Sequence, residues 1–108
     1  MATRAPQTAT YAGAALTLYA AASGDKVSGI RRPTPMLVVN DGESSVTLTV
    51  TVPGTTVYGE DLPDKEFTIP AGSHYVLTLL PEYANPADSY LIALSWSATT
   101  DVSWAVIA

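Results

Sequence analysis

His74 is the chain's only imidazole, and there is no cysteine, so nucleophilic or acid–base chemistry would have to centre on this one residue. A histidine acts as a general base only with a nucleophile and an orienting group beside it. Ser73 precedes it, but the stretch Pro70–His74 is typical of a turn, and no nucleophile motif surrounds the serine. We interpret His74 as a surface turn residue and predict no catalytic residue.

Four carboxyl side chains lie close together in the segment YGEDLPDKE: Glu60, Asp61, Asp64 and Glu66. Calcium loops require a strict ligand spacing that this segment lacks, and Pro63 interrupts it. With one histidine and no cysteine, the ligand chemistry argues against a transition-metal site, and no glycine-rich phosphate loop is present. The pattern predicts a solvated acidic loop, no metal, no cofactor and no enzymatic activity.

Charge is distributed unevenly along the 108 residues, a length typical of one domain. Residues 1–33 hold four basic side chains and one acidic one, a net charge of +3. Residues 34–108 hold one lysine and nine carboxyl groups, a net charge of −8. An acidic body repels phosphate, which argues against nucleic acid as a partner, whereas the basic third suits an acidic surface.

No apolar run is long enough to span a bilayer, so no membrane partner is expected. The first ten residues lack the apolar run of a signal peptide, which predicts that the protein is made and kept in a cytoplasm, or assembled there into something larger.

Turn signals recur at short intervals between runs rich in Val, Thr, Leu and aromatic residues, as in Asn40-Asp41-Gly42, Pro53-Gly54 and Pro70-Ala71-Gly72. Short strands separated in this way are typical of all-β proteins. We predict a small antiparallel β-sandwich of about seven strands, Ig-like or jelly-roll-like, over residues 24–108. Residues 1–23 would form an extended N-terminal arm and a possible first strand, Leu16–Tyr19, with residues 1–10 flexible.

Register arguments predict two hairpins, because each pairing puts apolar side chains on one face. The first joins Met36–Asn40 to Ser45–Val52, with Val39 opposite Val46 and Leu37 opposite Leu48. Val46, Leu48 and Val50 then point into the core, and the threonines between them face solvent or a neighbouring subunit.

The second predicted hairpin joins Tyr90–Trp96 to Val102–Ile107, with Leu94 opposite Trp104. Both tryptophans then pack in the core. A middle pair, Lys65–Ile69 and Tyr75–Leu80, either forms a third hairpin or crosses between the two sheets, and the pattern does not decide between these.

Four motifs occur in a fixed order: ASGDKV, MLVVNDGESSVTLTVTVPG, FTIPAGSHYVLTLLP and the final SWSATTDVSWAVIA. In this order they resemble the capsid decoration (cement) proteins of tailed bacteriophages, from about Ala20 onward. The resemblance implies a β-sandwich on the outer surface of a virion, bound to the major capsid protein, often as a homotrimer and with an anchoring N-terminal arm. It implies a structural role in stabilising the capsid.

Family members share patterning and no site motif, so contact residues are predicted from this chain alone. Residues 1–35 and the loop tyrosines are the candidates, because tyrosine suits interfaces and the basic residues cluster there. The predicted partner-binding residues are Arg4, Tyr11, Tyr19, Arg31, Arg32, Tyr58 and Tyr83. The alternatives are a carbohydrate- or cell-surface-binding module that uses Tyr58 or Tyr83, and a structural protein of the phage tail or neck.

Overall fold

The computed structural model describes residues 3–8, 13 and 15–107. These residues form nine strands, and two single-turn 3-10 helices, Pro81–Tyr83 and Pro86–Asp88, lie between the seventh and eighth strands. The strands are β1 (Thr3–Arg4), β2 (Tyr19–Ala20), β3 (Lys26–Val27), β4 (Thr34–Asn40), β5 (Val46–Val50), β6 (Lys65–Ile69), β7 (Ser73–Leu79), β8 (Ile92–Trp96) and β9 (Val102–Val106).

Two sheets pack face to face. One has the strand order β1-β3-β8-β5-β6 and the other has the order β2-β9-β4-β7. Neighbouring strands are antiparallel except β1 and β3, which are parallel. The predicted all-β antiparallel sandwich with an extended N-terminal arm is confirmed.

The strand pairing is nested, which identifies the sandwich as jelly-roll-like and not Ig-like. β5 pairs with β6, β4 with β7, β3 with β8 and β2 with β9. One long hairpin of eight strands is therefore rolled up, and the contacts β4–β9 and β5–β8 close the roll. This is the jelly-roll arrangement of two four-stranded sheets, here with β1 added to one of them.

The first predicted hairpin is wrong, because β4 and β5 lie in different sheets. Val39 pairs with His74 and Ser103 instead of Val46. The five residues 41–45 cross between the sheets, which lie about 10 Å apart in a sandwich. Two strands with alternating apolar residues can share a face within one sheet, or they can lie in different sheets and pack against each other across the core. The alternation is the same in both cases, so the register argument could not separate them.

The second predicted hairpin is wrong for the same reason. Leu94 of β8 pairs with Val50, whereas Trp104 of β9 pairs with Val38 in the other sheet. The middle pair also crosses between sheets. The rings of Phe67 on β6 and Tyr75 on β7 lie edge to face, with their centroids 6.5 Å apart.

The core is built from the inward residues of both sheets. Val46, Leu48 and Val50 are buried as predicted, and each such side chain contributes about 1.5–3 kcal/mol before chain entropy is subtracted. The threonines between them, Thr47 and Thr49, are half-buried. Burial of Trp104 and the packing of half-buried Trp96 against the core confirm the predicted role of the tryptophans.

Residues 3–8 of the N-terminal arm lie along the sandwich. β1 pairs with β3 in the five-stranded sheet, and the Gln7 backbone N–H donates to the Val106 carbonyl oxygen (2.7 Å) in the other sheet. The Gln7 side-chain amide donates to the Thr17 carbonyl (2.7 Å) and accepts from the Thr17 N–H (2.8 Å). This part of the predicted flexible arm is therefore a strap across both sheets. Of the predicted strand Leu16–Tyr19, only Tyr19 lies in a strand, β2.

Asp25 joins the two sheets from the β2–β3 connection, and it is 1% exposed. Its Oδ2 atom accepts hydrogen bonds from Trp96 Nε1 of one sheet (3.2 Å) and Trp104 Nε1 of the other (3.1 Å). The same atom accepts from the Ala22 N–H (2.7 Å). Because buried indole N–H groups are costly to leave unpaired, this carboxyl group fixes the orientation of both tryptophans.

We expect the substitution Asp25→Ala to lower the free energy of unfolding by about 2–4 kcal/mol, because it leaves two indole donors and one backbone donor unpaired. Asp25→Asn keeps one acceptor oxygen and should cost clearly less. Urea titration followed by tryptophan fluorescence measures both. Glu43→Ala, at an exposed position, is the control and should stay within about 0.5 kcal/mol of the unchanged protein. Equal stability of Asp25→Ala and this control would contradict the assignment.

Candidate interaction surface

Three long connections meet at one end of the sandwich: 28–33, 51–64 and 80–91. The pairings Val27 with Ile92 and Val50 with Leu94 place the ends of β3 and β5 beside the start of β8. Thr34 at the start of β4 pairs with Leu79 at the end of β7. The opposite end carries the shorter connections 21–25, 41–45, 70–72 and 97–101. We call the first end the long-loop end.

The connection 51–64 is a hairpin arm that continues the β5–β6 pair beyond the sheet. The Leu62 N–H donates to the Gly54 carbonyl (3.2 Å), and Thr55 forms a bridge with Asp61. The Thr56 N–H donates to the Glu60 carbonyl (2.7 Å). Fully extended legs of five or six residues would span at most roughly 15–20 Å, and Gly54, with a positive φ of 103°, bends one of these legs.

The tip of the hairpin arm presents two apolar side chains to solvent: Val57 is 95% exposed and Tyr58 is 89% exposed. The Gly59 N–H donates to the Thr56 carbonyl (3.0 Å), and Gly59 has the positive φ of 80° that a three-residue hairpin loop with a bulge requires. The Thr56 hydroxyl oxygen accepts from the Tyr58 N–H (3.2 Å) and the Glu60 N–H (3.3 Å). The tip is thus an ordered apolar knob.

Exposed carboxyl groups surround the base of this knob, namely Glu60, Asp61 and Asp64. One of them has a local partner: Asp64 Oδ1 accepts from the Val52 N–H (3.3 Å). No group of three or more His, Cys, Asp or Glu side chains in the described part of the chain is arranged to hold a metal ion. The acidic segment therefore gives the arm a negative charge beside its apolar tip.

A shallow open cleft of about 530 Å³ lies at the same end, and apolar side chains, Arg31 and the exposed Tyr90 line it. Ser89 and Tyr90 adopt left-handed backbone conformations, with φ of 53° and 59°. Asn85 holds this loop, since its carbonyl accepts from the Tyr90 N–H (2.8 Å) and the Asp88 N–H (3.0 Å). Strained residues held by their surroundings are common at binding sites.

The predicted partner-binding residues divide into two groups. Arg31, Arg32 and Tyr58 are exposed at the long-loop end. Tyr83 lies at that end but is half-buried and packs against the core.

Arg4 and Tyr19 lie on the side of the sandwich formed by β1 and β2, where the Arg4 guanidinium carbon stands 3.9 Å from the centre of the Tyr19 ring. Such cation–π pairing of two half-buried side chains stabilises the strap. Tyr11 lies outside the described residues.

Sequence reasoning did not single out two exposed residues of the long-loop end, Val57 and Tyr90. The signal for Val57 was its position before Tyr58-Gly59, because a glycine that closes a hairpin turn places the two preceding side chains at the tip. Nothing in the sequence marked Tyr90, since its exposure depends on the left-handed backbone of the loop.

His74 lies within β7 and not in a turn, which corrects the prediction for that residue. Its side chain is exposed, and its strand partner is Val39. Within the described ranges no hydrogen bond joins the His74 ring to a hydroxyl or carboxyl group. Over those ranges there is also no helix of the length and apolarity needed to cross a membrane.

Comparison with protein-family models, with curated proteins and with solved structures finds no match for this chain.

Gly59→Ala should loosen the tip without unfolding the protein. The added methyl group meets no atom within 4 Å, so the effect comes from the positive φ alone. A cost of about 1 kcal/mol corresponds to about five-fold faster amide hydrogen exchange at Thr56 and Leu62, measured by NMR.

Gly72→Ala is the matched control, because Gly72 has a φ of 68° and equal free space but lies at the opposite end. It should leave exchange in the hairpin arm unchanged. Unaltered exchange in Gly59→Ala would show that the tip is not held by this turn.

Proposed function

We propose that this protein is a non-enzymatic decoration protein, which binds the major capsid protein on the outer surface of a phage capsid and stabilises the shell. Three features support the proposal: the ordered motifs that resemble such proteins, the jelly-roll sandwich, and a long-loop end that carries apolar and charged groups. Jelly rolls also serve in lectins and other proteins, so the fold alone does not assign this role.

The observation that carries the proposal is the hairpin arm. Val57 and Tyr58 are almost fully exposed, although burying a valine or a large apolar side chain is worth about 1.5–3 kcal/mol. Exposed apolar side chains on a hydrogen-bonded hairpin favour insertion into a pocket of a partner, because a loop that is already ordered loses less conformational entropy on binding. The neighbouring carboxyl groups favour a pocket with a basic rim.

The charge distribution supports a position on the outside of the shell. The acidic body, with a net charge of −8 over residues 34–108, is repelled by packaged DNA. Binding to a preformed lattice also stabilises a small domain, because any partner that binds only the folded state does so. Assembly would take place in the host cytoplasm.

A carbohydrate-binding module is the second candidate, and one observation favours it. Tyr58 and Tyr90 are 89% and 67% exposed and both lie at the long-loop end, and exposed aromatic rings are the groups that sugar-binding sites use. Tyr83 does not contribute to such a platform, because it packs against the core.

Replacing both tip residues, Val57→Ser with Tyr58→Ser, should weaken binding to capsids by about 10- to 100-fold, since two apolar side chains lose their burial. The measurement is co-sedimentation of the purified protein with capsids assembled from the major capsid protein of the same genome. The double change Ala98→Ser with Thr99→Ser, in an exposed loop at the opposite end, is the matched control and should bind normally.

Electron microscopy of the decorated particles locates the protein. Density on the outer shell supports the proposal, whereas density at the tail or neck assigns it a different structural role. Absence of capsid binding by the unchanged protein would overturn the proposal, and glycan-array binding that depends on Tyr58 would replace it with the second candidate.

A further inference from the structure

Each sheet has two edge strands, and three of the four edges are protected against pairing with another chain. β1 and β2 contain two residues each, which is too short to serve as a template. β6 contains two adjacent charged residues, Lys65 and Glu66, and both are exposed. Short length and charge are the usual means by which proteins block edge pairing.

The fourth edge, β7, has none of these protections. It is seven residues long, Ser73–Leu79, and contains no proline and no Asp, Glu, Lys or Arg. Its register with β4 runs without a bulge from Asn40 paired with Ser73 to Thr34 paired with Leu79. Among the described residues β7 pairs with β4 alone, and no further backbone hydrogen bond joins its outer edge to another segment.

The outer face of β7 carries three exposed side chains, His74, Val76 and Thr78. Val76 lies at the middle of the strand and is 67% exposed. The inward residues Leu77 and Leu79 are buried in the core, so the strand is held in place and cannot twist away from an incoming strand.

We propose that β7 pairs antiparallel with β7 of a second copy of this chain, around a two-fold axis at Val76, so that two four-stranded sheets join into one continuous sheet. The inference rests on the open edge and does not depend on the proposed function.

A second copy of the chain fits this edge because β7 is complementary to itself in this register. Val76 would face the partner's Val76, and His74 would face the partner's Thr78. Cross-strand β-branched pairs stabilise a sheet, whereas like charges placed opposite each other destabilise it. Although each copy has a net charge of −5, no carboxyl group lies on the strand that forms the seam.

The symmetry gives a definite stoichiometry. A two-fold contact uses the same surface on both copies and closes at a dimer. The trimer implied by the resemblance to decoration proteins cannot arise from this contact, because a three-fold axis does not place a strand antiparallel to itself.

Sedimentation equilibrium of the purified protein, without capsids, tests the stoichiometry. We expect a dimer at about 100 micromolar, the range of a modest interface. Val76→Lys should raise the dissociation constant at least about ten-fold, because it places two positive charges opposite each other at the axis. Thr68→Lys, on the exposed face of the charged edge β6, is the matched control and should leave the equilibrium unchanged.

Crosslinking tests the register. The chain has no cysteine, so Val76→Cys introduces one thiol. Directly opposed residues have Cβ atoms about 4.5–5.5 Å apart, so a short thiol-specific crosslinker should join two copies of Val76→Cys much faster than two copies of Thr68→Cys.

A monomer or a trimer for the unchanged protein would overturn the inference. So would equal crosslinking of the two cysteine variants, or a Val76→Lys variant that remains a dimer. Circular dichroism of Val76→Lys checks that the fold is retained, and the crosslinking result stands independently of that variant. Loss of capsid binding bears on none of these measurements.

Discussion

The contact between Asp25 and the two tryptophans holds the sheets in one relative position. Hydrophobic burial favours any packing that removes apolar surface from water, and it does not by itself choose one alignment of two sheets. A buried carboxyl oxygen that accepts from Trp96 in one sheet and Trp104 in the other does choose, because a shift would leave donors unpaired. The second oxygen of Asp25 is buried without a hydrogen-bond partner, which is a free-energy cost that the bonds to the first oxygen must offset.

The two ends of the sandwich differ in the length of their connections. Asp25 lies in a connection that crosses between the sheets, and the other connections at its end are short. The longer connections lie at the long-loop end, which carries the hairpin arm and the cleft. The end with Asp25 thus carries short connections, and the long-loop end carries the exposed tip and the cleft, as is usual when loops are carried on a packed scaffold.

The long-loop end combines groups that sequence reasoning treated separately. Tyr58 and the pair Arg31 and Arg32 are far apart in the chain, and the roll brings their loops to one end. Their exposure could be anticipated from their position in polar, glycine- and proline-rich segments. The pair Tyr58-Gly59 also marked Val57 as a tip residue, whereas the half-burial of Tyr83 and the exposure of Tyr90 beside the cleft depended on backbone conformations that side-chain type does not specify.

Alternation of apolar and polar residues determined the strands and their inward faces, because a strand with a period of two must bury one side; Val46, Leu48 and Val50 are the clearest case. Turn residues determined where strands end. Only the tertiary structure decided which strands are neighbours. An inward-facing strand buries the same side chains whether its sequence neighbour lies beside it or across the core, so local pattern leaves the choice open. Long-range pairing, the crossing connections and the Asp25 contact with both sheets settle it.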